Sequence, residues 1–401
     1  MWDKADRILK VAEKERRIKD MLDRARQHHA FFEAVCAFGF YGAESDIVSS
    51  RPKVYKRSEV KDNGLLFDLA SLTKIIYSTA LLLAMSEKGV TLDKKINRYL
   101  QEFSNPDLTI QDALAYRIYA QDKNAYNVLN SSLFHPYSAA KAAYTQKLIQ
   151  KMRAVYIDGK YSKYSNYPAF IIRQLLGAIS QSDPEEYIKE KLFKIAGMQG
   201  ARFAPLAKEE LEKLAPAEFQ IEYPGQTITS KGKKLKAKRR KNLPQDETAH
   251  NALLRGFGHL GHAGIFATVE DMQNFANFLL YELRPRKRFW QRGFLFSDEL
   301  RHALWNYANY NDASRLGRDN FNLGFRYIGD NDRIFGKQVS RAIFGHVGFS
   351  GTMLAVDPLS NSYVVMLANR CFPSRDLWWA QNSSVDFNKL RQSVCEIAFA
   401  G

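Results

Sequence analysis

The chain has little cysteine: Cys36, Cys371 and Cys395 are the only ones in 401 residues. Three cannot all pair, and none are spaced as C-x-x-C, so neither a disulfide framework nor a zinc knuckle is implied. Long apolar runs are missing too. The longest, Ile75 to Met85, falls short of the roughly 18 uncharged residues a membrane helix needs, and Tyr77, Ser78 and Thr79 interrupt it. No membrane span is expected. The opening stretch, MWDKADRILKVAEKERRIKDMLDRARQHH, has no apolar centre and no small-residue cleavage site, unlike a signal peptide. It patterns instead as a charged amphipathic helix with Ile8, Leu9, Ala12, Ile18, Met21 and Leu22 inward. As written the chain is expected in the cytoplasm, or outside it if a leader was trimmed. Acids are in deficit, 43 Asp and Glu against 59 Lys and Arg, which leaves a formal charge of +16. Part of the excess is local, because Lys231 to Lys241 is mostly basic and holds no acid. No aromatic residues are interleaved there for base stacking, so nucleic acid is not the expected partner. A solvated loop, or a surface for an anionic polymer, remains.

What is present is ordinary for a soluble globular protein: 45% hydrophobic and 25% charged residues. After the charged helix of residues 1–29, residues 30–108 begin with two strands, FFEAVCAFGF and IVSSRPKVY, and continue into an apolar helix. Residues 109–200 read as mostly helical, with TIQDALAYRIYA, a segment within SAAKAAYTQKLIQKMRAVY, YPAFIIRQLLGAIS and DPEEYIKEKLFKIAGM. Residues 201–250 are irregular and hold the basic loop. Residues 251–401 supply a Gly-rich turn and helix, three strands (NLGFRYIG, AIFGHVGFSGTMLAVDP and SYVVMLANR) and a closing helix. With strands at both ends and helices between, the expected class is α+β. It is an α/β sandwich whose antiparallel sheet is built from both chain ends, flanked by helices, with a helical region inserted.

The stretch LFDLASLTKIIYSTALLLAMSEKG places Ser71 and Lys74 three positions apart at the start of a helix that ends near Gly89. At that spacing the two side chains share a face and can touch. In the first turn the positive end of the helix dipole favours a developing alkoxide, and a neutral lysine beside it can take the proton. On its own the pair is as readily a solvated helix face. Two further stretches are candidates. Tyr164–Ser165–Asn166 sits on a polar turn before a helix, where tyrosine can relay protons and asparagine can bind an amide; Ser and Asn are also ordinary helix caps. His346–Val347–Gly348 lies on an apparent strand whose glycines at 345, 348 and 351 suggest close backbone approach. His259 and His262 form H-x-x-H, but no third ligand suggests itself and no metal is expected.

Taken together, SLTK, YSN and HVG resemble, in order and rough spacing, the three motifs of the serine β-lactamase and penicillin-binding protein superfamily. The class C-like branch is most similar, with its D-alanyl-D-alanine carboxypeptidases, D-aminopeptidases and β-lactamase-fold esterases. LFDLASLTK, KGVTLDKKINRYLQEF, YSNYPAFIIRQLL, EEYIKEKLFKIAGM, GHAGIFATVEDMQNF and FGHVGFSGTMLAVDP extend the likeness over roughly residues 30 to 375. The resemblance implies a β-lactamase/transpeptidase-like fold without a cofactor and an acyl-enzyme on Ser71. Lys74 and Tyr164 would form the base system and Asn166 would steady the substrate. His346 stands where many relatives have lysine, and would help bind a carboxylate or relay protons. The N–H groups of Ser71 and Phe349, beside Gly348, would form the oxyanion hole, each donor worth about 3 kcal/mol. The implied substrate is a D-Ala-D-Ala-type peptide, or another amide or ester, including one derived from peptidoglycan. β-Lactams are implied covalent ligands.

Three departures bear on specificity. The relatives' Thr-His-x-Ser-Gly stretch is lacking in the segment that here reads LTIQDALAYRIYAQDK, where it would form one wall of the site. Their Val-His-Asp-x-x-Ala stretch is Thr248–Ala249–His250–Asn251–Ala252 here, without the aspartate, and the basic loop 231–241 is an elaboration. These changes leave open a second reading, a penicillin-recognising fold used for binding with little turnover.

Overall fold

The computed structural model describes residues 4–52, 61–120, 147, 149–156, 164–216, 219–220, 238–239, 243–254, 256–284, 293–309, 321–328, 334–372 and 385–400. Most of the basic loop, and most of the helix expected within residues 138–156, lie outside the described residues.

In chain order the helices are α1 (Lys4–Gln27), α2 (Leu72–Lys88), α3 (Ile110–Leu114), α4 (Tyr167–Ser180), α5 (Pro184–Tyr187, continued by a π-helical turn over Ile188–Phe193), α6 (Glu247–Leu254), α7 (Val269–Leu283), α8 (Asp298–Asn309) and α9 (Phe387–Phe399). The central sheet has seven antiparallel strands. Two come from the first part of the chain, β1 (Ala34–Phe40) and β2 (Asp46–Ser50). Five come from the last, β10 (Phe321–Asn322), β11 (Phe325–Tyr327), β12 (Phe344–Val347), β13 (Met353–Asp357) and β14 (Ser362–Ala368); between them lie the short strands β3 (Phe67–Asp68), β4 (Ile118–Ala120), β5 (Ala154–Tyr156), β6 (Arg202–Phe203), β7 (Phe219–Gln220), β8 (Lys238–Arg239) and β9 (Ile265–Ala267). In space the order is β10–β11–β12–β13–β14–β1–β2, so the two chain ends meet where β1 pairs with β14, from Ala34 opposite Ala368 to Phe40 opposite Ser362. The sheet is therefore built from both ends, as the order of elements predicts.

Period-two alternation decides what each face touches. Val35, Ala37, Leu354, Val356, Val365 and Leu367 point into the larger core, beneath α2 and α7. Ala34, Cys36, Phe38, Met353, Ala355, Val364 and Met366 point the other way, onto Ile18 and Leu22 of α1 and Val394 and Cys395 of α9. Both faces are covered, so every residue of β14 is buried. The opening charged helix is thus part of one layer of the sandwich.

Every residue of α2 from Leu72 to Met85 is buried. The helix ends at Gly89, whose φ of +63° suits a residue without a Cβ and whose N–H closes back on Met85 and Ser86. α7 starts with a capping box in which Thr268 and Asp271 each accept the other's backbone N–H.

Two expectations change. Ile118–Ala120, expected in the helix TIQDALAYRIYA, is instead a strand paired with Ala154–Tyr156, at the end of the stretch within which a helix is expected. Tyr116 adopts φ +56° and breaks the helix after Leu114, and the β-branched and aromatic residues that follow fit a pleated surface. The run FGHVGFSGTMLAVDP is a hairpin, β12 and β13, folded at Gly348–Thr352, where Gly348 N–H donates to Thr352 O at 2.8 Å.

Gly345, within β12, faces the partner strand so closely that a Cβ would lie 1.9 Å from Leu354 O. Gly345→Ala is therefore expected to spread β12 from β13 and lower stability by about 3 kcal/mol. Urea unfolding measures this, and an unchanged midpoint would contradict the close approach.

Candidate active site

The site grows from the short segment between β3 (Phe67–Asp68) and α2. Ala70 is held at φ +46°, a conformation uncommon for a residue with a Cβ. It turns the chain sharply into Ser71 at the helix start. Neighbours hold this bend. Asp68 Oδ1 accepts Ala70 N–H at 2.8 Å, and its Oδ2 accepts Gln245 N–H at 2.6 Å. The Asp68 and Leu69 carbonyls accept hydroxyls from Ser350 at 2.7 Å and Thr352 at 2.9 Å, both in the β12–β13 turn. Leu69 N–H donates to Ile265 O at 3.0 Å, on the neighbouring β9 (Ile265–Ala267). Gly348 is required at this junction, since a Cβ there would stand 2.0 Å from Thr352 Oγ1 and 2.7 Å from Leu69 O. Asp68, which the sequence places near the helix start, thus braces the bend.

Ser71 makes no side-chain cap to its own helix, which leaves its hydroxyl for other partners. Lys74 Nζ donates to Ser71 Oγ at 2.8 Å, and Tyr164 OH donates to the same oxygen at 2.8 Å. Lys74, 1% exposed, also donates to the His262 carbonyl at 3.1 Å. Its Nζ lies 5.1 Å from the centre of the Tyr164 ring. Tyr164 is 46% exposed, so the Ser71 oxygen stands at the boundary between a dry lysine and an open rim.

The far wall is aromatic. Tyr116 stacks on Tyr164 at 6.4 Å and on Phe321 at 4.6 Å, and the His346 ring lies 5.5 Å from Phe321 and 6.1 Å from Tyr164. Tyr116 comes from the stretch that lacks the relatives' Thr-His-x-Ser-Gly pattern, and it supplies the wall there. Its own hydroxyl is pushed well above the usual phenol range by burial and by Tyr164.

His346 is buried, with Nδ1 2.8 Å from Val347 O. A carbonyl only accepts, so Nδ1 carries the proton and Nε2 has a bare lone pair. Burial holds the imidazole well below its ordinary pKa, and the positive charges of Lys74, Arg326 and Arg391 add to this. Gly348 and Phe349 form the turn that grips the Ser71 approach. Phe349 O accepts Arg370 Nε at 2.7 Å. Buried Arg391, on α9, donates to the carbonyls of Gly348 and Thr352. Burial, with Arg370 adding to it, brings the Arg391 guanidinium down to about 9. At the start of α4, Ser165 Oγ takes the Tyr167 N–H at 3.2 Å, while Asn166 makes no side-chain cap.

Of the residues singled out from sequence, Ser71, Lys74 and Tyr164 are in direct contact and His346 adjoins Tyr164. Gly348 and Phe349 sit in the bracing turn, and Asn166 lies two residues beyond Tyr164. The H-x-x-H rings take separate partners: His259 Nε2 is 2.8 Å from Ala204 O, and His262 Nε2 is 2.9 Å from Asp246 Oδ1. Sequence reasoning missed Asp246, Tyr116, Phe321, Ser350, Thr352 and Arg391. Only Asp246 had a signal, the absence of an aspartate from its expected place a few residues later.

A protein-family model described as Beta-lactamase matches residues 57–384. The chain belongs to that family, within the serine β-lactamase and penicillin-binding protein superfamily. Among similar proteins is a provisionally named D-alanyl-D-alanine carboxypeptidase of Escherichia coli (strain K12), 25% identical over 327 residues, covering 77% of this chain and 69% of the relative. Another is the N-acetylmuramyl-L-alanine amidase of Bacillus subtilis (strain 168), 24% identical over 325 residues, covering 76% and 68%. The solved structure of EstCE1, a hydrolase with promiscuous acyltransferase activity, shares the fold with a TM-score of 0.64 at 15% identity, over 96% of this chain and 99% of that one. These names point to hydrolase activity for this fold. Among the described residues no helix is long and apolar enough to cross a membrane.

The depressed His346 pKa has a sign in stability. An unfolded histidine titrates near about 6.5, so below that pH the unfolded chain binds more protons than the folded one. The stability due to the neutral ring is present above that value and is lost as pH falls toward the folded pKa. Urea midpoints are expected to drop from neutral to mildly acid pH, and His346→Gln should flatten the drop. An unaltered slope in the variant would show that the ring is not held neutral.

Proposed function

We propose that this chain is a serine hydrolase that cleaves an amide or ester through an acyl-enzyme on Ser71, with a D-Ala-D-Ala-type peptide as the favoured substrate class. The observation that carries this reading is the convergence of Lys74 Nζ and Tyr164 OH on Ser71 Oγ, each at 2.8 Å. A serine hydroxyl is a weak nucleophile until a neighbouring base takes its proton. Lys74 and Tyr164 are both within hydrogen-bond reach of that proton.

In acylation Ser71 Oγ attacks the substrate carbonyl and its proton passes to the Lys74–Tyr164 pair. Tyr164, on the open side, returns a proton to the leaving group. The tetrahedral oxyanion is received by the N–H groups of Ser71 and Phe349. Water then enters from the exposed side of Tyr164 and releases the acyl group. Asn166, whose side chain does not cap its helix, faces the task of steadying the acyl amide. His346, held neutral, serves as a hydrogen-bond acceptor or proton relay beside Tyr164. It does not offer the cation that the relatives' lysine would present to a carboxylate. The attraction for a carboxylate rests instead on Arg326 and Arg391, whose charges also act on His346. The names of the relatives, a carboxypeptidase and an amidase, favour a peptide amide over a simple ester.

Intact-protein mass spectrometry after incubation with a penicillin, and separately with p-nitrophenyl acetate, tests the reading. An adduct absent from Ser71→Ala is expected with at least one reagent. Tyr164→Phe should lower turnover by about 10²- to 10⁴-fold. Without an adduct and without Ser71-dependent ester turnover, the chain is not this hydrolase, and the fold serves as a binding module.

A further inference from the structure

We propose that Asp246 and His262 form a positioning pair for Lys74: the buried His262 ring, anchored on Asp246, sets the main-chain carbonyl that aims the lysine at Ser71. This rests on Lys74 acting as base in the reaction proposed above.

The loop that carries His262 has glycine at both ends. Gly261 has φ +87°, and a Cβ there would lie 2.8 Å from Ala169 O. Gly264 has φ +120°, and a Cβ there would lie 2.8 Å from His259 Nδ1. Glycine lets the peptide turn toward Lys74 but does not hold it there. The ring does. It is fully buried, meets Phe170 edge-on at 5.1 Å, and its Nε2 lies 2.9 Å from Asp246 Oδ1. Since a carboxylate only accepts, His262 Nε2–H is the donor. Asp246 is itself fixed at the start of α6, where the same Oδ1 accepts Ala249 N–H at 3.0 Å and its main-chain oxygen accepts His250 N–H at 2.9 Å. The chain Asp246–His262–Lys74–Ser71 is thus continuous, from a helix cap to the hydroxyl.

The pair also brings charge. Desolvation opposes ionisation of Asp246, but His262, the Ala249 N–H and Lys74 outweigh it and hold the carboxyl below the usual range. A carboxylate therefore stands behind Lys74. The other titratable or charged groups about the pair are Tyr164, His346 with Arg326 and Arg391 across the site, and His259 with Glu185 and Arg173 behind the loop. Of the groups that hold the Asp246 carboxyl down, His262 and Lys74 are the two that link it to Ser71.

The test compares wild type with His262→Ala, His262→Gln and Asp246→Asn, using p-nitrophenyl acetate across the pH range of activity, with Ser71→Ala as the blank. His262→Ala is expected to lose about 10- to 100-fold in kcat with KM nearly unchanged, the scale of a misaimed catalytic group. His262→Gln can still donate to Asp246 and should regain most of that loss. Asp246→Asn keeps the acceptor for His262 and for Ala249 but removes the charge, so the acid limb of the kcat/KM profile should move to lower pH. Equal impairment of His262→Ala and His262→Gln, or an Asp246→Asn profile that superposes on wild type, would overturn the proposal. A readout independent of turnover separates it from the hydrolase reading. In protein carrying ¹³C at the lysine ε position, the Lys74 titration followed by NMR should shift to lower pH in Asp246→Asn. Coincident curves overturn the positioning pair even if Ser71 is a competent nucleophile. A shift without Ser71-dependent turnover leaves the pair standing and removes the hydrolase.

Discussion

A lysine amine buried inside an apolar helix is the constraint on which the site depends. Lys74 lies within the run Leu72 to Met85, all of it buried, and taking its polar head out of water is costly unless partners replace the solvent. Those partners are few and come from distant parts of the chain: Ser71 one turn away, the His262 carbonyl 188 residues later, and the face of Tyr164. Satisfying one lysine therefore brings three segments together, and the same contacts leave Ser71 Oγ between two groups able to move its proton. Burial that would be a liability elsewhere here holds a lysine amine against a serine hydroxyl, the contact on which the proposed acyl-enzyme chemistry rests.

The second organising feature is the brace between the sheet and the Ser71 approach. The hydroxyls of Ser350 and Thr352 hold the carbonyls of Asp68 and Leu69, Asp68 holds Gln245, and Arg391 holds the turn from behind. The strained Ala70 persists because this surrounding network over-determines it. It also explains why the N-terminal and C-terminal helices matter to a site neither of them lines. α1 and α9 cover the outer face of the sheet, and α9 carries the arginine that fixes the β12–β13 turn.

Much of this was legible in the sequence. The alternation in FFEAVCAFGF and SYVVMLANR, the apolar run after Ser71, and Gly89 as a helix stop are local signals, and local periodicity reports them directly. The helix expected over TIQDALAYRIYA failed at Tyr116, because an apolar, aromatic run fits helix or strand equally until its pairing partner is known. The hairpin at Gly348–Thr352 patterns as one strand for a similar reason: its glycines are visible in the sequence, but the approach of Leu69 O that demands Gly348 is long-range.

Ser71, Lys74, Tyr164, Asn166 and His346 could be singled out from the sequence because their residue types and order resemble the superfamily's motifs, and the superfamily and the sandwich fold were expected from that likeness and from the order of elements. Only the tertiary structure decided that Tyr116 and Phe321 wall the site, that His346 is neutral with its proton on Nδ1, and that Asp246 stands behind His262. Each of these depends on which groups approach within a few ångströms across many residues of chain. Burial and charge at such distances set protonation and position, and no pattern of neighbours along the chain encodes them.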